Sequence, residues 1–232
     1  MEPAPPHAQP HGHDHQHAHS HSQAHGHSHD RGWAGFVRYA SLLPLMWTSE
    51  MSTAVVGLAA PQRGERVVDL GCGMGAATVA AARSGASVVA VDPTPFMRHI
   101  LGLRRLAQRA RQRISVVDGA AEAIPVADGS IDALWSVNTM HHWTDLDRAL
   151  GELHRVLRPG GRLVLVDESF DDPAHPFHER FGRRRAGHGH RFDVVDPVEM
   201  AARLRRLGFA SVEGSLASVA GRPVKLVRGV KG

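Results

Sequence analysis

Val67-Val68-Asp69-Leu70-Gly71-Cys72-Gly73-Met74-Gly75-Ala76 is the stretch on which the reading of this chain turns. A β-branched run breaks into three glycines spaced two apart, and an alanine-rich segment continues to Ser84. Branched side chains favour extended backbone and alanines favour helix, so the expected unit is strand, tight turn, helix. Glycines let such a turn close and let the backbone approach a ligand with no Cβ in the way. The helix that follows offers unpaired N–H groups and the positive end of its dipole to an anionic group. Gly71-x-Gly73-x-x-Ala76 also fits a dinucleotide-binding pattern loosely, so the glycines alone leave the ligand open. Asp69 separates the readings: a carboxylate beside the turn repels a pyrophosphate and suits the ammonium group of an amino acid.

Outward from this turn, short apolar runs alternate with helical stretches. Ser87–Asp92, Ile114–Asp118, Ile131–Val137 and Arg162–Glu168 read as strands. Phe96–Arg113 reads as one basic amphipathic helix, and Thr144-Asp145-Leu146-Asp147 as a capping box for a helix to about Leu157. Pro159-Gly160-Gly161 reads as a turn, and Asp196-Pro197-Val198-Glu199 as another helix start. Ala210–Ser218 and Pro223–Val230 read as an antiparallel hairpin. Upstream, Trp33–Ala60 reads as one or two helices interrupted at Pro44 and ending before Pro61. Strands alternating with helices, several of them near-continuous in Val and Leu, indicate an α/β fold with a parallel sheet covered on both faces.

Composition sets the outer limits. The chain has 232 residues, 42% apolar and 22% charged, which suits one globular domain with an appendage. The one cysteine, Cys72, excludes an intrachain disulfide framework and fits a reducing, cytoplasmic setting. No run of 18 apolar residues is present, so a spanning helix is not expected, and the first residues do not read as a secretory signal. Residues 1–30 hold ten histidines and no Lys, Arg, Leu, Ile, Val or aromatic residue. A segment with nothing to bury is expected to stay unordered. Its alternating imidazoles, among them His11, His13, His15, His17, His19 and His21, are candidate ligands for weak Ni, Zn or Cu binding. The competing reading is a solvated low-complexity tail.

The turn Asp69-Leu70-Gly71-Cys72-Gly73-Met74-Gly75 resembles motif I of the class I S-adenosylmethionine-dependent methyltransferases, of the small-molecule, type 11-like kind. Asp92 matches the acid that in this family bonds the ribose hydroxyls, and its two oxygens can accept from both. Residues 118–143, DGAAEAIPVADGSIDALWSVNTMHHW, and residues 153–167, LHRVLRPGGRLVLVD, resemble the following blocks in order. The resemblance implies a Rossmann-like, seven-stranded, mostly parallel sheet with an antiparallel last strand. It implies S-adenosyl-L-methionine as cofactor, held by Asp69, Gly71, Cys72, Gly73, Gly75, Asp92, Pro93, Ala120, Ala121 and Asn138. One departure stands out: Ala120 occupies the position where many relatives place an Asp on the adenine amino group, and Asp118 lies two residues earlier. The implied organisation is a tail over 1–30, a helical cap over 31–64 and a methyltransferase domain over 65–232, with 169–192 as a lid.

A sulfonium methyl is already electrophilic, so the protein has to align an acceptor and exclude water. A base is required only where the acceptor must lose a proton. His141 and His142, just past the fourth strand, are the candidates, against the reading that they pack or cap the Trp143–Asp147 turn. The lid segment carries His175-Pro176-Phe177-His178, Arg183-Arg184-Arg185 and His188-Gly189-His190, offering a weak metal pattern and an anion site against a plain solvated turn. The partner expected is a small-molecule acceptor. The arginines of 104–113 spread around their helix and do not make a nucleic-acid footprint, which leaves an RNA methyltransferase as a lesser alternative. A metal-handling protein built around the tail is the alternative from a different class.

Overall fold

The computed structural model describes residues 47–181 and 196–232. The expectations for the 1–30 tail, for Trp33–Met46 and for the arginines and histidines of 183–190 lie outside the described residues. Period-two alternation builds the centre. Along β1 (Arg66–Leu70), Val67 joins one buried cluster and Val68 the other, because successive side chains point to opposite faces. The remaining strands are β2 (Ser87–Val91), β3 (Ile114–Val117), β4 (Ile131–Val137), β5 (Leu157–Glu168), β6 (Phe209–Val219) and β7 (Arg222–Lys231). They form one seven-stranded sheet in the order β3-β2-β1-β4-β5-β7-β6. Strands β1 to β5 are parallel, and β7 runs antiparallel to both β5 and β6. The fold is the α/β, Rossmann-like one expected.

Helices cover both faces. On one, α1 (Glu50–Ala59) and α2 (Ala76–Ser84) set Met51, Val55 and Val79 against Val67, Ala133, Trp135 and Val164. On the other, α4 (Leu146–Val156) and α6 (Pro197–Arg206) set Leu150, Leu153, Met200 and Leu204 against Val68, Leu134 and Leu165. The element α3 (Pro95–Leu106) follows β2, and the short α5 (His178–Phe181) follows β5.

Three local expectations need correction. The Phe96–Arg113 helix stops at Leu106: Ala107 N–H turns to the carbonyl of Arg104, and only a 3-10 turn forms over Arg111–Arg113. The chain must reverse there to set Ile114 beside Val88. Pro159-Gly160-Gly161 is not a separate turn but an irregularity inside β5, where the β4 pairing shifts register between Ile131 and Ala133. A Cβ on Gly161 would lie 2.8 Å from the Arg158 carbonyl oxygen, so a side chain is excluded there. Asp145, not Thr144, caps α4 by accepting from Arg148 N–H, because Thr144 is engaged with Glu122. Asp196 caps α6 as the sequence indicated. Among the described residues no helix is long and apolar enough to cross a membrane.

Candidate functional site

The C-terminal ends of β1, β2, β4 and β5 meet at one edge of the sheet, where open α/β folds bind ligands. The glycine turn closes there. Gly71 (φ +70°), Gly73 (φ +50°) and Gly75 (φ +79°) all take left-handed backbone. Gly71 and Cys72 N–H groups donate to the Val91 carbonyl, tying the turn to β2. Added Cβ atoms would meet Thr139 Cγ2 at 2.2 Å at position 71 and Leu101 Cδ1 at 2.1 Å at position 75. The glycines are therefore required by their protein neighbours as well as by any ligand.

Asp92 follows β2 and bridges two loops. One carboxylate oxygen accepts from Gly73 N–H at 2.9 Å and the other from Thr94 N–H at 2.8 Å. Burial raises its pKa, and these N–H groups pull it back. Each oxygen retains a lone-pair direction, which is what two ribose hydroxyls need. The helix ends agree. Side chains of Ser49, Asp145 and Asp196 cap α1, α4 and α6, whereas α2 and α3, which start at this edge beside Asp92, have no side-chain cap. Among the described residues, no side chain thus caps the first-turn N–H groups of α2, and such groups suit an anionic ligand. The donor set fits S-adenosylmethionine.

Other candidates serve less directly. Asp69 is only 2% exposed and accepts from Trp135 Nε1 at 2.9 Å and from the Thr78 hydroxyl. Burial pushes its pKa up to about 6 despite these bonds. It braces the turn from beneath, so the expected ammonium contact gives way to a supporting role. Cys72 is buried, which pushes its thiol pKa up and leaves it protonated. Pro93 is exposed, Ala120 half-buried and Ala121 buried, and Ala120 pairs with Ala123 in a single bridge. Asp118 is ion-paired to Arg98 at 2.8 Å, and Arg98 also donates to the Asp92 carbonyl, so Asp118 steadies the Asp92 loop.

Beyond β4, Asn138 takes left-handed backbone (φ +57°) and is locked to Glu168 by two 2.7 Å bonds, Nδ2 to Oε1 and Glu168 N–H to Oδ1. His141 Nδ1 lies 2.9 Å from Asp167 Oδ2, and the same carboxylate accepts from the Met140 and His141 backbone N–H groups. His142 stacks obliquely on His141 with ring centroids 4.1 Å apart. Asp167 and Glu168 went unremarked in the sequence as site residues, though acids at the end of a parallel strand are a readable signal. The metal reading of His175 and His178 fails on geometry. His175 spends Nε2 on Glu168 and Nδ1 on the Phe177 N–H, and His178 Nδ1 meets the Phe170 carbonyl. Among the described residues no group of His, Cys, Asp or Glu is arranged to hold a metal.

Comparison with known proteins points the same way. Residues 68–165 match the family described as "Methyltransferase domain". The chain is 43% identical over 112 residues to an uncharacterized methyltransferase of Mycobacterium bovis, covering 48% of this chain and 43% of that protein. It is 36% identical over 129 residues to a ubiquinone/menaquinone biosynthesis C-methyltransferase of Rubrivivax gelatinosus, covering 54% and 49%. The chain thus spans about half the length of the curated relatives it matches. An S-adenosylmethionine-dependent methyltransferase structure from Aquifex aeolicus superposes with a TM-score of 0.62 at 18% identity, covering 86% of this chain and 98% of that one. Sheet order, glycine turn and Asp92 agree with the sequence match: residues 68–165 match a methyltransferase domain, and the fold is that of the solved S-adenosylmethionine-dependent methyltransferases.

Proposed function

We propose that this protein transfers a methyl group from S-adenosyl-L-methionine to a small-molecule acceptor that loses a proton in the reaction. The observation that carries the reading is the convergence, at one sheet edge, of the Asp92-bridged glycine turn and the His141–Asp167 pair. Asp92 receives the ribose hydroxyls, and the uncapped start of α2 receives the carboxylate of the amino-acid end. Ala120 and Ala121 offer backbone, not a carboxylate, to the adenine. The cofactor supplies an electrophilic sulfonium methyl when bound. Asp167 holds a proton on His141 Nδ1, which places the lone pair on Nε2 where it can take the acceptor proton. His142 shapes the same wall. A domain spanning 65–232 carries this chemistry, and residues 169–181 continue from the end of β5.

Calorimetry with S-adenosylmethionine and S-adenosylhomocysteine, followed by transfer of labelled methyl into cell metabolites, tests the reading. Saturable binding of both and label in an oxygen- or carbon-methylated product are expected. Absence of binding would overturn the cofactor assignment. Labelled product formed at an undiminished rate by His141→Gln would overturn the base.

A further inference from the structure

The arginines divide into two populations. Arg98, Arg155, Arg158, Arg162, Arg203 and Arg228 each pair with a carboxylate. Arg83, Arg104, Arg105, Arg109, Arg111 and Arg113 pair with none among the described residues. Four of these six have neutral partners instead: Arg83 the Gln108 amide, Arg104 the Met74 carbonyl, Arg105 the Ile114 carbonyl and Arg113 the Gly85 carbonyl. Such oxygens fix the guanidinium groups without neutralising them. Between residues 66 and 117 the only acids are Asp69 and Asp92, both buried. Among the described residues this side is therefore cationic, and the one exposed acid at its border is Glu50, which lines a cavity with Arg83, Arg104 and Trp47.

Among the described residues, the same surface carries exposed apolar side chains. Helix α3 buries Met97 and Leu101, yet on its outer side Leu103 is 55% and Leu106 60% exposed. A single exposed leucine is ordinary, but two at i,i+3 spacing within a cluster of unneutralised arginines are not. Trp47 adds a 41% exposed indole with the Arg104 guanidinium 4.6 Å above its ring. A cavity of about 470 Å³ lined by Arg83 and Arg109 adjoins one of about 480 Å³ lined by Arg83, Arg104 and Trp47. Cationic side chains flanking exposed Leu and Trp are the composition of an interfacial helix, whose apolar residues enter the acyl boundary while arginines meet lipid phosphates. A nucleic-acid backbone would satisfy the arginines but leave the leucines wet.

We propose that the outer side of α3, with Trp47 and the 107–113 connection, is a docking surface for an anionic phospholipid bilayer. The surface stands apart from Asp92 and His141, so its success or failure is independent of methyl transfer. Flotation of the full chain tests it, at about pH 8 with EDTA so that the tail histidines are neutral and metal-free. The vesicles are phosphatidylcholine alone and phosphatidylcholine with about one third phosphatidylglycerol, at physiological salt. Association with the anionic vesicles only is expected. The double variant L103S/L106S should weaken it about tenfold and R109A/R111A about thirtyfold. Both variants should keep the wild-type affinity for S-adenosylhomocysteine, which shows that they fold. Failure to float with anionic vesicles overturns the proposal. So does undiminished binding by L103S/L106S, and so does preference for single-stranded RNA over the vesicles in competition.

Discussion

Asp92 concentrates more of the site than any other side chain, because its two oxygens already join the β1 and β2 loops. Asp92→Asn keeps the shape but turns one acceptor oxygen into a donor facing an N–H. Calorimetry should show affinity for S-adenosylhomocysteine falling by about 100-fold, the scale of two charge-assisted hydrogen bonds. Retention of wild-type affinity would remove Asp92 from the ribose site. His141 and Asp167 make a different prediction, in rate and not in binding. His141→Gln should lower kcat by 10²–10⁴, about the range of general base catalysis, with the cofactor Kd unchanged. Asp167→Asn should lower kcat as well, since an amide no longer enforces the Nδ1–H tautomer. A kcat unchanged in both variants would leave the histidines as packing groups.

Asp69 acts through stability. Its folded-state pKa is raised to about 6, above the usual carboxylate value near 3.9. Between those values the folded chain holds a proton that the unfolded chain has released. The stabilisation linked to this proton is complete below about pH 4 and lost as pH rises through about 6, a change on the order of 3 kcal/mol. Asp69→Asn removes the titration, so wild type should lose stability relative to the variant across that window. Thermal denaturation from about pH 4 to 7 measures the difference. A constant difference at every pH would mean that Asp69 does not titrate there.

At the scale of elements, the glycine turn is held as much by α3 as by its own backbone. Gly75→Ala places a Cβ 2.1 Å from Leu101 Cδ1 and strains a residue at φ +79°. Chemical denaturation should show a loss of about 2–4 kcal/mol, combining the clash and the left-handed backbone cost. Adding Leu101→Ala opens the space, so the double variant should lose less than the sum of the two single losses. Strict additivity would show that φ alone makes the glycine obligatory. This coupling also marks how far the sequence could be read. Strands β1 to β5, the capped start of α6 and the terminal hairpin were legible because periodicity and caps are local. Gly71, Gly75 and Asp92 were legible because their spacing matches a known turn. The end of α3 was not, since it is set by where β3 must begin, and the Pro159-Gly160-Gly161 segment was absorbed into β5 by pairing with β4. The partnership of His141 with Asp167, 26 residues apart, was invisible because only the parallel pairing of β4 with β5 brings their ends together. The same non-locality hid the role of Asp69, whose partner Trp135 sits on the neighbouring strand.

For the whole molecule, the net charge of +4 averages two unlike parts. Residues 1–30 carry Glu2, Asp14 and Asp30 with no Lys or Arg, hence −3 with neutral histidines, and the remaining 202 residues carry +7. Ten of the 18 histidines lie in that tail, so most of the charge that the protein gains on mild acidification is gained there. With reference pKa values near 6.5, the tail should swing by about eight charges, from negative to positive, between about pH 7.5 and 5.5. The domain that holds Asp92, His141 and the sheet lies entirely beyond it. A chain beginning at Arg31 should therefore bind S-adenosylhomocysteine within about twofold of the full chain, since no tail side chain is needed to complete the donor set. Its electrophoretic mobility should change far less between those pH values, while at high pH the shortened chain is the more cationic of the two. An equal mobility change in both chains would place the titrating histidines in the folded body. Loss of cofactor binding on truncation would make the tail part of the catalytic unit and not an appendage to it.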